Sequence, residues 1–274
     1  MRLALSLVIF AVCTCSALAQ NAMLAVLPAQ AAAPKGIPVP DMPVLTTTKL
    51  EGGLIVEDMK VGQGYEIKPG DAVVAHYHGT LRVDPNTVFD SSFSRGEPLG
   101  FPLAAVIPGW QKGVPGMKIG GVRRLIVPAA MAYGEGSPSP AIPPNSDLVF
   151  VIALVDVLGV EDLKVGAGDM TATSRCVAIT AYTITDKDGK VIEKHDASDP
   201  YIWIPNEYAP ISLGIQGMKL GGKRRIKVPA AFNQFNADFA RESGPARPAN
   251  VLVTIEVELL KMRNIPIGSK TPGC

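Results

Sequence analysis

Gly116-Met117-Lys118-Ile119-Gly120-Gly121-Val122-Arg123-Arg124-Leu125-Ile126-Val127-Pro128-Ala129-Ala130 returns as Gly217-Met218-Lys219-Leu220-Gly221-Gly222-Lys223-Arg224-Arg225-Ile226-Lys227-Val228-Pro229-Ala230-Ala231, with eleven of fifteen positions identical at an offset of 101. Upstream, Glu57-Asp58-Met59-Lys60-Val61-Gly62-Gln63-Gly64 returns as Glu161-Asp162-Leu163-Lys164-Val165-Gly166-Ala167-Gly168. Two matches in the same order imply a repeated unit of about a hundred residues, domain-sized rather than solenoid-sized. A chain of 274 residues has room for two such domains. With the boundary near Val160, they occupy residues 49–160 and 161–265.

Each unit reads as mostly β. Asp71 to Arg82 alternates, with Val73, Ala75, Tyr77 and Leu81 on one face and Val74, His76, His78 and Thr80 on the other. Val122–Val127 and Asp147–Leu158 are further β-rich runs, punctuated by turn residues such as Pro108-Gly109 and Pro143-Pro144-Asn145. The one helix-compatible stretch of the first unit is short, Gly109 to Met117, and Gly120-Gly121 follows it. In the second unit Asp186-Lys187-Asp188-Gly189-Lys190 is a hairpin-turn signature between Tyr182 and Val191. An antiparallel sheet with one short helix packed on it fits both.

The ends read differently. Arg2, the apolar run Leu3 to Val12, and Ala17-Leu18-Ala19 before Gln20 form the three-part pattern of an export signal at residues 1–19. That apolar run is shorter than the ~20 residues a spanning helix needs, so no stable membrane anchor is expected after cleavage. Residues 20–48 carry Pro28, Pro34, Pro38, Pro40 and Pro43 without periodicity and read as an extended mobile tether. They lack the heptads of a dimerisation arm, so a monomer is expected. Residues 266–274 read as a loose tail. Cleavage at Ala19 would remove Cys13 and Cys15 and leave Cys176 and Cys274. An oxidising compartment would permit those two to pair, but one buried thiol and one loose terminal residue is the preferred reading.

A net charge of +1, with 47% hydrophobic and 19% charged residues, describes a globular protein and gives no reason to propose nucleic acid as a partner. The chain has no Gly-x-Ser-x-Gly elbow, no Walker loop and no His-Glu-x-x-His helix, so neither hydrolytic chemistry nor a cofactor is indicated. His76 and His78 share a strand face, but His195 is the one other histidine and no cysteine cluster supports them. A solvated face is preferred to a metal site.

What remains is apolar and aromatic. His76-Tyr77-His78-Gly79, Val88-Phe89-Asp90-Ser91-Ser92, Phe101-Pro102-Leu103, Val106-Ile107-Pro108-Gly109-Trp110, Ala132-Tyr133-Gly134 and Ile142-Pro143-Pro144-Asn145 before Leu148-Val149-Phe150 resemble, in order and spacing, the FKBP-type peptidyl-prolyl cis–trans isomerases. The resemblance runs from about Thr48 to Leu158. It implies an α+β fold of two FKBP-like domains, each a curved antiparallel β-sheet wrapped on a short helix. It also implies an isomerase of the exported bacterial type, periplasmic or secreted. Its substrates would be proline-containing unfolded or partly folded proteins, with macrolide inhibitors as further ligands. Carried over by position, Trp110 is the pocket floor. Tyr77, Phe89, Leu99, Val106, Ile107, Ala132, Ile142 and Phe150 belong to its walls and rim, with Asp90 and Tyr133 as polar contacts. The Ile107 N–H would hold the substrate carbonyl. The family usually has an aromatic residue where Leu99 stands. A non-catalytic chaperone or protein-binding module is the alternative of a different class.

Aligned through the repeat, Trp110 falls opposite Ile211, Tyr133 opposite Gln234 and Phe150 near Thr254, while Phe89-Asp90 finds no clear partner near Ile192-Glu193. The second copy is therefore read as folded but without the pocket. Tyr201, Trp203, Tyr208, Phe232, Phe235 and Phe239 are read as core and loop packing in preference to a binding surface. The Arg123-Arg124 pair is read as solvated.

Overall fold

The computed structural model describes residues 36–173, 175–205, 207–233 and 250–265. The expected export signal, most of the expected tether, Gln234, Phe235, Phe239, Cys274 and the expected tail lie outside them.

Two antiparallel sheets follow one another. The first contains β1 (Thr46–Lys49), β2 (Ile55–Lys60), β3 (Ala72–Leu81), β4 (Val88–Ser91), β5 (Leu99–Pro102), β6 (Val122–Val127) and β7 (Leu148–Val157), in the order β1-β2-β6-β7-β3-β4, with β5 also beside β3. The second contains β8 (Gly159–Lys164), β9 (Cys176–Asp186), β10 (Val191–His195), β11 (Tyr201–Trp203), β12 (Lys223–Val228) and β13 (Val253–Asn264). Its order is β10-β9-β13-β12-β8, with β11 beside β9. Leaving out β1, the two orders are the same, so the repeat extends to the whole topology. Among the described residues the α-helices are few and short: α1 (Ser92–Arg95), α2 (Pro108–Gly113) and α3 (Ala209–Gly214).

Period-two patterning makes these sheets one-sided. Leu148, Phe150, Ile152 and Leu154 of β7 point inward, as do Val253, Ile255, Val257 and Leu259 of β13. Helix α2 begins at Pro108, which needs no N–H partner in the first turn, and it ends at Gly113, sooner than expected. Pro115 has no N–H with which to extend it. The helix lies against β6 at a distance only glycine permits. A Cβ on Gly113 would sit 2.8 Å from Leu125 Cδ2, and one on Gly214 of α3 would sit 2.3 Å from Ile226 Cδ1.

Two expectations need correcting. Chain order begins before the tether's expected end, because β-branched Thr46-Thr47-Thr48 pair with β2, and the Ile37 N–H donates to the Phe93 carbonyl at 2.9 Å. The first arginine of each repeated pair is not solvated. Arg123 is buried, with Nε 2.7 Å from Asp58 Oδ1 and Nη1 2.7 Å from the Gly113 carbonyl. Arg224 repeats this with Asp162 at 2.7 Å and the Gly214 carbonyl at 2.8 Å. Each guanidinium thus satisfies carbonyls at a helix end that would otherwise be buried without donors.

The two halves share apolar interior. Ala72 and Val74 of β3, together with Leu158, pack in one buried cluster with Tyr182, Trp203, Ile226, Phe232 and Ile255 of the second half.

Candidate functional site

Helix α2 places Trp110 at the bottom of a cavity of about 470 Å³. Its indole is 5% exposed and meets three rings edge-on, with centroids 5.8 Å away at Tyr77, 5.5 Å at Phe101 and 5.3 Å at Phe150. Phe89 packs edge-on against Phe150 at 5.5 Å. Such T-shaped contacts suit the ring quadrupoles and fix each ring by its neighbours. The family resemblance assigned Tyr77, Phe89, Asp90, Val106, Ile107, Trp110, Tyr133, Ile142 and Phe150 to one pocket, and all nine line this cavity.

Leu99 and Ala132 are not among the residues that line it. Leu99 is exposed at the start of β5, while Ala132 packs under the wall. The aromatic expected near Leu99 stands two residues later, at Phe101. Both side chains leave β5 on the same face, so alternation could not choose between them. Ala105, Pro138 and Ser139 also line the cavity and were not anticipated.

The polar edge is a three-residue network. The Tyr77 hydroxyl donates to Asp90 Oδ2, Arg95 Nη1 lies 2.6 Å from Asp90 Oδ1, and Arg95 Nη2 lies 3.0 Å from the Tyr77 oxygen. Arg95 closes α1, whose cap is Gly96. The sequence reading missed it because its role appears only when that short helix turns it back over β4. Burial, then the hydrogen bond to Asp90, pushes the Tyr77 phenol up to about 12. Burial alone would raise Asp90, but the hydrogen bonds from Arg95 and Tyr77 outweigh it and hold the carboxyl below its ordinary value. Burial and then the Asp90 charge raise Tyr133. At neutral pH both phenols therefore keep their protons opposite a fixed carboxylate.

The Ile107 N–H precedes the first turn of α2 and has no hydrogen-bond partner among the described residues. Its neighbour is anchored, since Gln111 Nε2 donates to the Val106 carbonyl at 2.7 Å. On the far face of β3, His76 and His78 are half-buried rather than solvated. Their Nδ1 atoms lie 3.3 Å and 3.1 Å from the Ser92 and Ser91 hydroxyls, and His76 stacks on Phe93.

Strand register locates the equivalent place in the second half. Tyr77 is opposite Ile152 and Ile152 opposite Arg123; Tyr182 is opposite Val257 and Val257 opposite Arg224. Tyr77 thus corresponds to Tyr182, and by the same ladders Asp90 corresponds to Glu193, Phe101 to Trp203 and Phe150 to Ile255. The expectations of no partner for Asp90, and of Thr254 for Phe150, are corrected accordingly. Tyr182 donates to Glu193 as Tyr77 does to Asp90. Trp203 donates to Thr180 Oγ1 at 3.0 Å, Tyr208 donates to Asn233 Oδ1 at 2.7 Å, and Glu207 accepts from Tyr201 at 2.7 Å. Trp203, Tyr208 and Ile211 are all buried. Cys176 is likewise buried, and burial raises its thiol.

Residues 63–155 match the family model described as FKBP-type peptidyl-prolyl cis-trans isomerase. The chain is 47% identical over 105 residues to the FKBP-type peptidyl-prolyl cis-trans isomerase FkpA of Escherichia coli, covering 38% of each chain. It is 47% identical over 114 residues to the peptidyl-prolyl cis-trans isomerase FPR2 of Saccharomyces cerevisiae, covering 39% of this chain and 81% of that one. Identity to a probable FK506-binding protein of Corynebacterium glutamicum is 46% over 103 residues, covering 37% of this chain and 85% of that one. With the pocket geometry and these relatives together, the chain belongs to the family of FKBP-type peptidyl-prolyl cis-trans isomerases.

Proposed function

We propose that this protein is a peptidyl-prolyl cis–trans isomerase whose activity resides in residues 49–160, with residues 161–265 a degenerate copy that lacks a pocket. The observation that carries the reading is the convergence of Tyr77, Phe89, Phe101, Trp110 and Phe150 on one cavity beside the Ile107 N–H. The chemistry asks for no acid, base or metal. Rotating a prolyl amide breaks its resonance, against a barrier of ~18–20 kcal/mol. The planar amide is more charge-separated than the twisted one. A dry aromatic cup therefore disfavours the ground state relative to the twisted transition state. The Ile107 N–H would hold the substrate carbonyl and the Tyr133 hydroxyl would bind beside it, while Asp90 fixes Tyr77. These dipoles are in place before the bond turns, so none has to reorganise as it does.

On this reading the substrates are proline-containing segments of proteins still folding, and macrolides that mimic them are inhibitors. Residues 1–19 direct export, and the mature monomer acts in the periplasm. Among the described residues no helix is long and apolar enough to cross a membrane. The purified chain should speed relaxation of a short Xaa-Pro peptide from cis to trans, and a rate no faster than the uncatalysed tens of seconds would refute the proposal. N-terminal sequencing of protein recovered from the periplasm should begin at Gln20; recovery of the intact Met1 terminus from the cytoplasm would refute export.

A further inference from the structure

Strand β5 carries a pocket wall, yet it is only four residues long and hydrogen-bonds to β3 on one side alone. Short edge strands of this kind open easily unless something covers them. Here the cover comes from the second half. A Cβ on Gly100, in the middle of β5, would lie 3.0 Å from two ring carbons of Phe232 and 3.1 Å from the Ala231 carbonyl oxygen. The ring therefore occupies the space that a side chain at position 100 would take. Phe232 sits on the 3-10 turn Ala230–Phe232 after β12 and is 5% exposed. Val74, opposite Gly100 on β3, and Ala72 belong to the same buried cluster as Phe232.

Successive residues on a strand face opposite ways. While Gly100 faces the second half, Phe101 faces the cavity, 5.5 Å from Trp110. We infer that Phe232 is a positioning residue for the isomerase pocket: seated against Gly100, it holds β5 down and with it the Phe101 wall. The second copy thus supplies the support that an edge strand lacks. This role rests on the isomerase reading above. It predicts that substrate binding, more than turnover of bound substrate, depends on a side chain more than a hundred positions away in sequence.

The test is Phe232→Ala in the full chain, with two readouts. Amide hydrogen exchange at residues 99–101 should rise at least about tenfold relative to residues 122–127. The kcat/KM on Xaa-Pro peptides should fall by roughly tenfold, mostly through KM, within the ~10²-fold that a 1 Å misplacement can cost. Phe232→Met, which installs the residue found at the equivalent Met131, should keep both near the unmodified values. If Phe232→Ala unfolds the second sheet, Gly100→Ala displaces the same contact from the other side and should give the same two shifts. Unchanged exchange at residues 99–101 and unchanged kcat/KM in an active, folded variant would overturn the positioning role alone. Absence of activity in the unmodified chain would overturn the isomerase reading and this role with it.

Discussion

Tyr77 owes its altered acidity to where it sits. Its phenol, ordinarily at 10.0, is pushed up to about 12 by burial and by the Asp90 carboxylate it donates to. Removing that charge with Asp90→Asn should bring it back toward 10.0, followed as phenolate absorbance against a Tyr77→Phe control; a titration still centred near 12 would remove Asp90 from the account. The sign for stability follows. Because the folded value lies above the unfolded one, the native state keeps a proton that the unfolded chain releases, so stability falls as pH rises through that interval, between about 10 and 12. Tyr77→Phe should flatten that slope. Asp90 works the other way: its folded value is lowered, so its contribution is present above the ordinary carboxylate range and is lost as pH falls. With Asp90 charged and both tyrosines neutral in between, kcat/KM should be flat from about pH 5 to 9. A bell-shaped profile within that range would indicate acid–base chemistry instead.

At the scale of elements, equivalent buried arginines tie α2 and α3 to their sheets. Arg224→Leu leaves Asp162 and the Gly214 and Gln216 carbonyls without their donor. Asp162 is half-exposed and can turn to water, but a buried carbonyl left without its donor costs about 1–3 kcal/mol, so Tm should drop by roughly 2–12 °C. An unchanged Tm would mean water replaces the guanidinium at no cost. These elements also mark what could be read from sequence. Alternation marked β3, where burial on one face writes itself as period two, β-rich composition marked β6 and β7, and turn residues such as Pro143-Pro144-Asn145 marked their ends. The second copy's tyrosine–carboxylate pair did not show, since loop lengths change between the copies. Tyr77 and Tyr182 are 105 positions apart but Trp110 and Ile211 only 101, so one fixed offset slides Glu193 and Ile255 out of place. Buried Arg123 looked solvated for a related reason: a charge that pairs across 65 residues leaves no local pattern. Phe101 and Arg95 depended on which of two equivalent positions the fold turns inward, a matter of tertiary packing.

For the whole molecule, the proposal gives the first copy an open pocket and the second none. In the second, Trp203, Tyr208 and Ile211 occupy the place where Phe101, Ile107 and Trp110 surround open space. A proline peptide or macrolide should therefore bind with a stoichiometry of one per chain in calorimetry, and a value of two would give the second copy a site of its own. Because the halves share a buried cluster through Ala72, Val74 and Leu158, such measurements belong on the intact chain. The most direct test of the dry aromatic cup is kcat/KM on a Xaa-Pro peptide for the full chain carrying Trp110→Leu with Tyr133→Phe, its fold checked by circular dichroism. The account predicts a loss of at least about tenfold, about 1.4 kcal/mol of transition-state stabilisation. Full activity in a folded double variant would contradict it.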